Sequence, residues 1–181
     1  YIVTGIDGNS CVNQDTVTVV VNALPIVSAG PNQTVCLNKP VVLSGSGATT
    51  YTWTNGVSNN TPFTPVTTNN YVVTGTDGNG CVNTDTATVT VLPLPNVNAG
   101  QDFAICVGLG STLTATGAST YQWNNNVLNG VTFFPNTTTT YTVIGTGANG
   151  CSAQDSVVVT VNTTPTISLT NGGAACANGN V

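Results

Sequence analysis

The chain has 181 residues, a net charge of −5 and only 4% charged residues: Lys39, six aspartates, and no arginine, histidine or glutamate. Phosphate recognition draws on lysine and arginine, so nucleic acid is excluded as a partner. General acid–base catalysis and zinc binding draw on histidine and carboxylate clusters, so an enzyme or a metal centre is not expected, and no apolar run of about 18 residues is present to insert into a membrane.

Residues 1–24 contain two Val/Thr-rich runs around Asp7-Gly8-Asn9, the pattern of a β-hairpin. Residues 25–94 read as a complete module. An irregular first strand covers Ile26 to Val35 and turns at Leu37 to Pro40. A second strand, Val41 to Gly45, buries Val41, Leu43 and Gly45. A third carries Tyr51 and Trp53 and turns at Asn55-Gly56. A strand follows near Phe63 to Val66. The chain then rises through Tyr71 to Thr76, turns at Asp77 to Gly80, and descends to Val91. On that last strand Ala87, Val89 and Val91 share one face and Thr86, Thr88 and Thr90 the other. Residues 95–164 repeat the module, and 165–181 match 95–111. Prolines at N22-A-L-P, V91-L-P-L-P and V161-N-T-T-P mark the boundaries.

The period is 70 residues: YIVTGIDGNSCVNQDTVTVVV returns as YVVTGTDGNGCVNTDTATVTV and YTVIGTGANGCSAQDSVVVTV. Such self-similarity is the mark of a module array. An array gains length or valence from repetition, whereas an enzyme needs one unique site. Residues 1–24 read as the last two strands of a preceding module and 165–181 as the start of a following one. Joined, these ends still lack the counterpart of 112–140, so the chain reads as a window from a longer polypeptide. Short, stiff linkers favour a rod.

Six cysteines recur in two phases: Cys11, Cys81 and Cys151, and Cys36, Cys106 and Cys176. With no histidine and no CxxC spacing, they suggest disulfides and an oxidising, extracellular setting. The strand reading places Cys36 at the bottom of its module and Cys81 at the top. A staple from Cys36 to Cys151, in the next module, is therefore the first choice. Intramodule pairs Cys36–Cys81 and Cys106–Cys151 come second, Cys81–Cys106 third, and free buried thiols last.

GPNQTVCLNKPVVLSGSGATTYTW resembles the first half of an immunoglobulin-like or PKD-like module, and YVVTGTDGNGCVNTDTATVTV resembles its last hairpin. The resemblance covers nearly the whole chain. It implies an all-β fold of tandem two-sheet sandwiches. It also implies core positions for Trp53 and Trp123, and a tyrosine corner at Tyr71 and Tyr141. One departure is plain: Gly45 and Val73, like Ala115 and Val143, stand where such folds carry their inter-sheet disulfide. More narrowly, the Q-T-V-C, D-G-N-G-C and D-T-A-T-V-T-V elements resemble tandem modules of giant surface adhesins of Bacteroidota, many exported by the type IX system. That implies an extracellular, secreted or cell-surface fibre or adhesin stalk. Its partners would be neighbouring copies of the module, and other fibres or surface glycans.

Other signals are weaker. The triplets Asp15-Thr16-Val17, Asp85-Thr86-Ala87 and Asp155-Ser156-Val157 are similar to the O-glycosylation signal of Bacteroidota, making Thr16, Thr86 and Ser156 candidate acceptors. An aspartate that merely begins a strand explains them equally well. The N-glycosylation sequons at Asn32, Asn136 and Asn162 share no phase and read as chance. The Asp7-Gly-Asn9 and Asp77-Gly-Asn79 turns have a calcium-loop look, but Gly147 replaces the carboxylate in the third copy and a hairpin turn accounts for all three. Lys39 suits an isopeptide bond, yet its counterpart is Leu109. Phe133 and Phe134 stand where the first module has Phe63 alone, so one is a candidate glycan-binding surface and the other core. A carbohydrate-binding array, or a spacer of a large secreted enzyme, are the alternative readings.

Overall fold

The computed structural model describes residues 1–169. The chain divides into two compact units, Tyr1–Pro93 and Leu94–Val181, and each is taken by itself.

The first unit opens with a hairpin of β1 (Ile2–Ile6) and β2 (Val12–Thr16), paired antiparallel from Ile2↔Thr16 to Ile6↔Val12. Its turn is closed by Asp7, whose Oδ1 accepts the N–H groups of Asn9 (2.9 Å) and Cys11 (2.8 Å). An aspartate suits this place because its short side chain hydrogen-bonds its own backbone two residues on.

The module that follows is a sandwich. One sheet contains β3 (Gln33–Cys36), β4 (Thr50–Trp53), β5 (Asn69–Thr76) and β6 (Val82–Leu92), in the order β3-β6-β5-β4. β3 runs parallel to β6, and the other pairs are antiparallel. The facing layer is held by single bridges, Ser28↔Ser46 and Val41↔Phe63. Period-two alternation sends Val73, Ala87 and Val89 inward to meet Val27, Ala29, Val41, Leu43, Trp53 and Tyr71. The tight turn after Ser46 needs glycine: Gly47 sits at φ +88°, and a Cβ there would run into the Ile26 carbonyl.

The second unit repeats this plan. Its strands are β7 (Phe103–Cys106), β8 (Ser111–Thr112), β9 (Thr120–Trp123), β10 (Thr132–Phe133), β11 (Thr139–Thr146) and β12 (Ser152–Asn162). The sheets are β7-β12-β11-β9 and β8-β10, the latter extended by the bridge Asn98↔Thr116. The topology is that of tandem immunoglobulin-like sandwiches, all-β, with no α-helix among the described residues.

Three details differ from the strand reading. The second strand is a set of isolated bridges rather than a continuous run. In the strand placed at Phe63 to Val66, only Phe63 pairs, and Val66 is 72% exposed after the Pro65 break. Val91 is only half-buried.

Candidate stapling and modification sites

The cysteines occupy the two ends of each module. Cys36 ends β3, level with Leu92 at the end of β6, and accepts the turn-closing Lys39 N–H at 3.1 Å. Cys81 lies at the other end, in the hairpin just before Val82. β6 has 11 residues, so roughly 35 Å separates the two, at about 3.3 Å per residue. A disulfide tolerates Cα atoms no more than about 7 Å apart. The same argument holds for Cys106, level with Asn162, and Cys151, just before Ser152.

The bonding state agrees with that geometry. Cys36 and Cys151 are each disulfide-bonded. Cys11, Cys81 and Cys106 carry free thiols, so the intramodule pairs Cys36–Cys81 and Cys106–Cys151 are not formed, nor is Cys81–Cys106. These free thiols are not core groups: Cys11 and Cys106 are exposed and Cys81 is half-buried, whereas the bonded Cys151 is fully buried. Cys176 lies outside the described residues.

The aspartates of the second and third triplets have a structural task. Asp85 Oδ2 accepts the Ala29 N–H at 2.7 Å, and Asp155 Oδ2 accepts the Ala99 N–H at 2.8 Å. Each carboxylate thus clamps the first segment of its module to the last strand, 56 residues away in both cases. The Ala29 N–H, and after it the Thr86 N–H, hold the Asp85 carboxyl below its ordinary value against a smaller opposing effect of burial. Ala99 and Ser156 do the same for Asp155. A depressed folded-state pKa means stability that is present above the ordinary aspartate value, about 3.9, and lost as pH falls through the folded value. Asp85→Asn is therefore expected to lower the melting temperature of module 25–94 at pH 7. The gap to wild type should close in acid, where the native carboxyl is protonated too. A gap that stays constant down to strong acid would show that the charge is not what matters. The neighbouring hydroxyl residues, Thr16, Thr86 and Ser156, are all exposed, as a glycan attachment requires.

The aromatic side chains divide differently from the expected corner. Trp53, Trp123, Tyr71 and Tyr141 are all buried. Tyr71 packs its ring on Phe63 with centroids 5.1 Å apart, and Tyr141 on Phe133 at 5.0 Å. The hydroxyl-to-backbone corner belongs instead to Tyr51, which donates to the Ala48 carbonyl at 2.6 Å and accepts the Ala48 N–H at 2.7 Å. Tyr121 repeats this with Ala118. The strand starting at Thr50 brings its tyrosine beside the Gly47-Ala48 turn, and β5 does not.

Asn59 and Asn129 are the residues that sequence reasoning missed. Asn59 Oδ1 accepts both the Gly45 N–H (2.6 Å) and the Trp53 Nε1–H (3.0 Å). Asn129 does the same for Ala115 (2.7 Å) and Trp123 (3.0 Å). One amide oxygen thus ties the second segment to the buried tryptophan, close to where related folds place their disulfide. The in-phase recurrence of Asn59 as Asn129 was the available signal.

The remaining candidates resolve as turn or surface features. Asp77 Oδ1 accepts the N–H groups of Asn79 and Cys81, both at 2.8 Å, so the turn uses its carboxylate internally. No cluster of metal-ligating side chains occurs among the described residues. Asn32 Oδ1 accepts the Thr88 N–H at 2.8 Å, which gives that sequon asparagine a structural role. Lys39 is exposed at its turn. Phe133 is the core partner of Tyr141, while Phe134 is 66% exposed beside the Gly110 turn.

No family profile matches the chain, and no curated protein matches it. Solved structures with similar folds include the N-terminal Ig1-2 module of the Drosophila receptor tyrosine phosphatase DLAR: 15% identity, 77% of this chain and 100% of that one, TM-score 0.33. The insect immune protein hemolin aligns at 16% identity over 82% of this chain and 49% of that one, TM-score 0.43. A Bacteroides ovatus glucan-utilisation protein, SGBP-B, solved with a mixed-linkage heptasaccharide, aligns at 16% identity over 77% and 48%, TM-score 0.28. At these values the assignment of the fold rests on the strand topology of the chain itself.

Proposed function

We propose that this chain is a non-enzymatic, extracellular repeat segment that builds an elongated fibre or adhesin stalk at a cell surface, of the kind found in Bacteroidota surface adhesins. The observation that carries it is the placement of the cysteines. Each module holds one at either end, where it can serve only a neighbour, and Cys36 and Cys151 are bonded while Cys11, Cys81 and Cys106 are not. On this reading Cys36 and Cys151 form a staple between successive modules 25–94 and 95–164, which the two bonded cysteines support. Disulfides persist in oxidising compartments, which favours the cell exterior. The aspartates are spent on backbone clamps and turns, so they gather into no catalytic pair.

Peptide mapping of native material without reduction tests this directly. The Cys36 peptide should emerge joined to the Cys151 peptide, and any other partner for Cys36 overturns the staple. The same digest should show a hexose-containing mass on Thr16, Thr86 or Ser156. Full recovery of all three peptides unmodified would remove the glycoprotein part. Exposed Phe134 favours one second reading, a glycan-binding surface. A glycan array probed with residues 1–181 separates the two, since a spacer leaves it blank.

A further inference from the structure

Each four-stranded sheet ends in an edge strand of the same make, β4 in the first module and β9 in the second, with a neighbour on one side only. Just past β9, the Asn124 N–H donates to the Thr142 carbonyl at 3.0 Å. Amide direction alternates along an antiparallel strand. Gln122 therefore also turns its backbone groups to β11, opposite Ile144, while Tyr121 and Trp123 turn theirs outward. β4 keeps the same alternation. The Val72 N–H points across to the Thr54 hydroxyl at 3.0 Å, which sets Thr52 towards β5 and leaves Tyr51 and Trp53 facing out.

Proteins commonly blunt such an edge with lysine, proline or an inward-pointing charge. Thr50-Tyr51-Thr52-Trp53 and Thr120-Tyr121-Gln122-Trp123 contain none of these. The one lysine of the chain is in the Lys39 turn, and Asp85 and Asp155 are held in their backbone clamps. Four residues of these edges are exposed, Thr50, Thr52, Thr120 and Gln122, and they offer only hydroxyls and an amide.

What fits this edge is the edge itself. When two β9 strands are set antiparallel about Gln122, Tyr121 of one lies opposite Trp123 of the other, and each pair exchanges both its N–H···O bonds. Gln122 then meets its own counterpart at the non-hydrogen-bonded position, where side chains approach most closely. Its amide both donates and accepts, so two of them satisfy one another. Thr52 does the same with hydroxyls on β4. A charged peptide would find no counter-charge on either strand. We propose that β9 of one copy pairs antiparallel with β9 or β4 of a second copy, continuing the four-stranded sheet across the contact. In the mixed pairing Thr52 stands opposite Gln122, and Tyr51 opposite Trp123. This inference rests on the edge of the single module and stands apart from the staple and the stalk reading.

The test uses residues 1–181 with the free thiols alkylated, so that disulfide exchange cannot link copies. In sedimentation velocity over a concentration series, the mass of wild type should rise above the 18.2 kDa monomer. A chain with Thr52→Lys and Gln122→Lys sets like charges opposite one another in every pairing and should remain monomeric. So should a chain with Thr52→Glu and Gln122→Glu. Both positions are exposed, so each variant should keep the circular dichroism of the parent. Mixed in equal amounts, the two variants should associate again, because opposite charges now meet across the edge. A wild-type chain that stays monomeric throughout the series overturns the proposal. So does a Thr52→Lys, Gln122→Lys chain that assembles like wild type, or a mixture that stays monomeric.

Discussion

Trp53→Ala should destabilise module 25–94 by about 3–5 kcal/mol, the range for a large core aromatic cut to alanine. Trp53 is 8% exposed and lies opposite Val73 across β4 and β5, in contact with the cluster that includes Leu43 and Val89. Truncation removes the apolar ring from this cluster and leaves a void that the flanking strands cannot close without breaking their register. It also strips the Nε1–H from Asn59 Oδ1, leaving that oxygen with the Gly45 N–H alone. A domain of this size has roughly 4–10 kcal/mol in total, at about 0.05–0.15 kcal/mol per residue. The substitution therefore removes a large share of the stability, and chemical denaturation of the isolated module, followed by circular dichroism, should show it. Trp53→Phe separates the two contributions: it keeps most of the ring and loses the donor, and should cost about 1–2 kcal/mol, near the value of one hydrogen bond. An alanine variant whose midpoint barely moves would place Trp53 outside the working core.

The fold was readable in the sequence because its determinants are local and repeated. Alternation on β6 and the Asp77-Gly-Asn79 hairpin need only a few neighbouring residues to declare themselves. The Asn55-Gly56 turn is equally explicit, with Asn55 at φ 58° and Gly56 at φ 69°. The errors came where a side chain serves a distant partner. Tyr51 and Tyr71 both sit on alternating strands. Which of them meets a backbone amide depends on where the Gly47-Ala48 turn lies in space, and spacing does not report that. Asn59 carries no distinct sequence signal of its own, because an asparagine in an Asn-rich stretch looks like turn filler. Its role arises from Gly45, 14 residues upstream. Asp85 is the same kind of case: its triplet was visible as a motif, but the amide it grips belongs to Ala29, 56 residues away.

The cysteines carry the other large effect. The first turn and the last hairpin of a module lie at its opposite ends, so Cys36 and Cys81 stand too far apart to bond to each other. A bond between Cys36 and Cys151 closes a loop on the order of 100 residues, which in the chain-entropy model removes about 4–5 kcal/mol of unfolded-state freedom. Cys36→Ser should therefore lower the melting temperature of the 1–181 chain, and mild reduction of the parent should reproduce that shift. Cys106→Ser is the matched control, since that thiol is free and exposed, and it should melt like the parent. Small-angle scattering adds a readout that stability alone does not supply. With short proline-bearing connections at Pro93 and Pro95, losing the staple should broaden the distribution of intermodule distances while each module keeps its own circular dichroism. If Cys36→Ser neither shifts the melt nor broadens the scattering, the bond at Cys36 does not join the modules and the proposed staple is overturned.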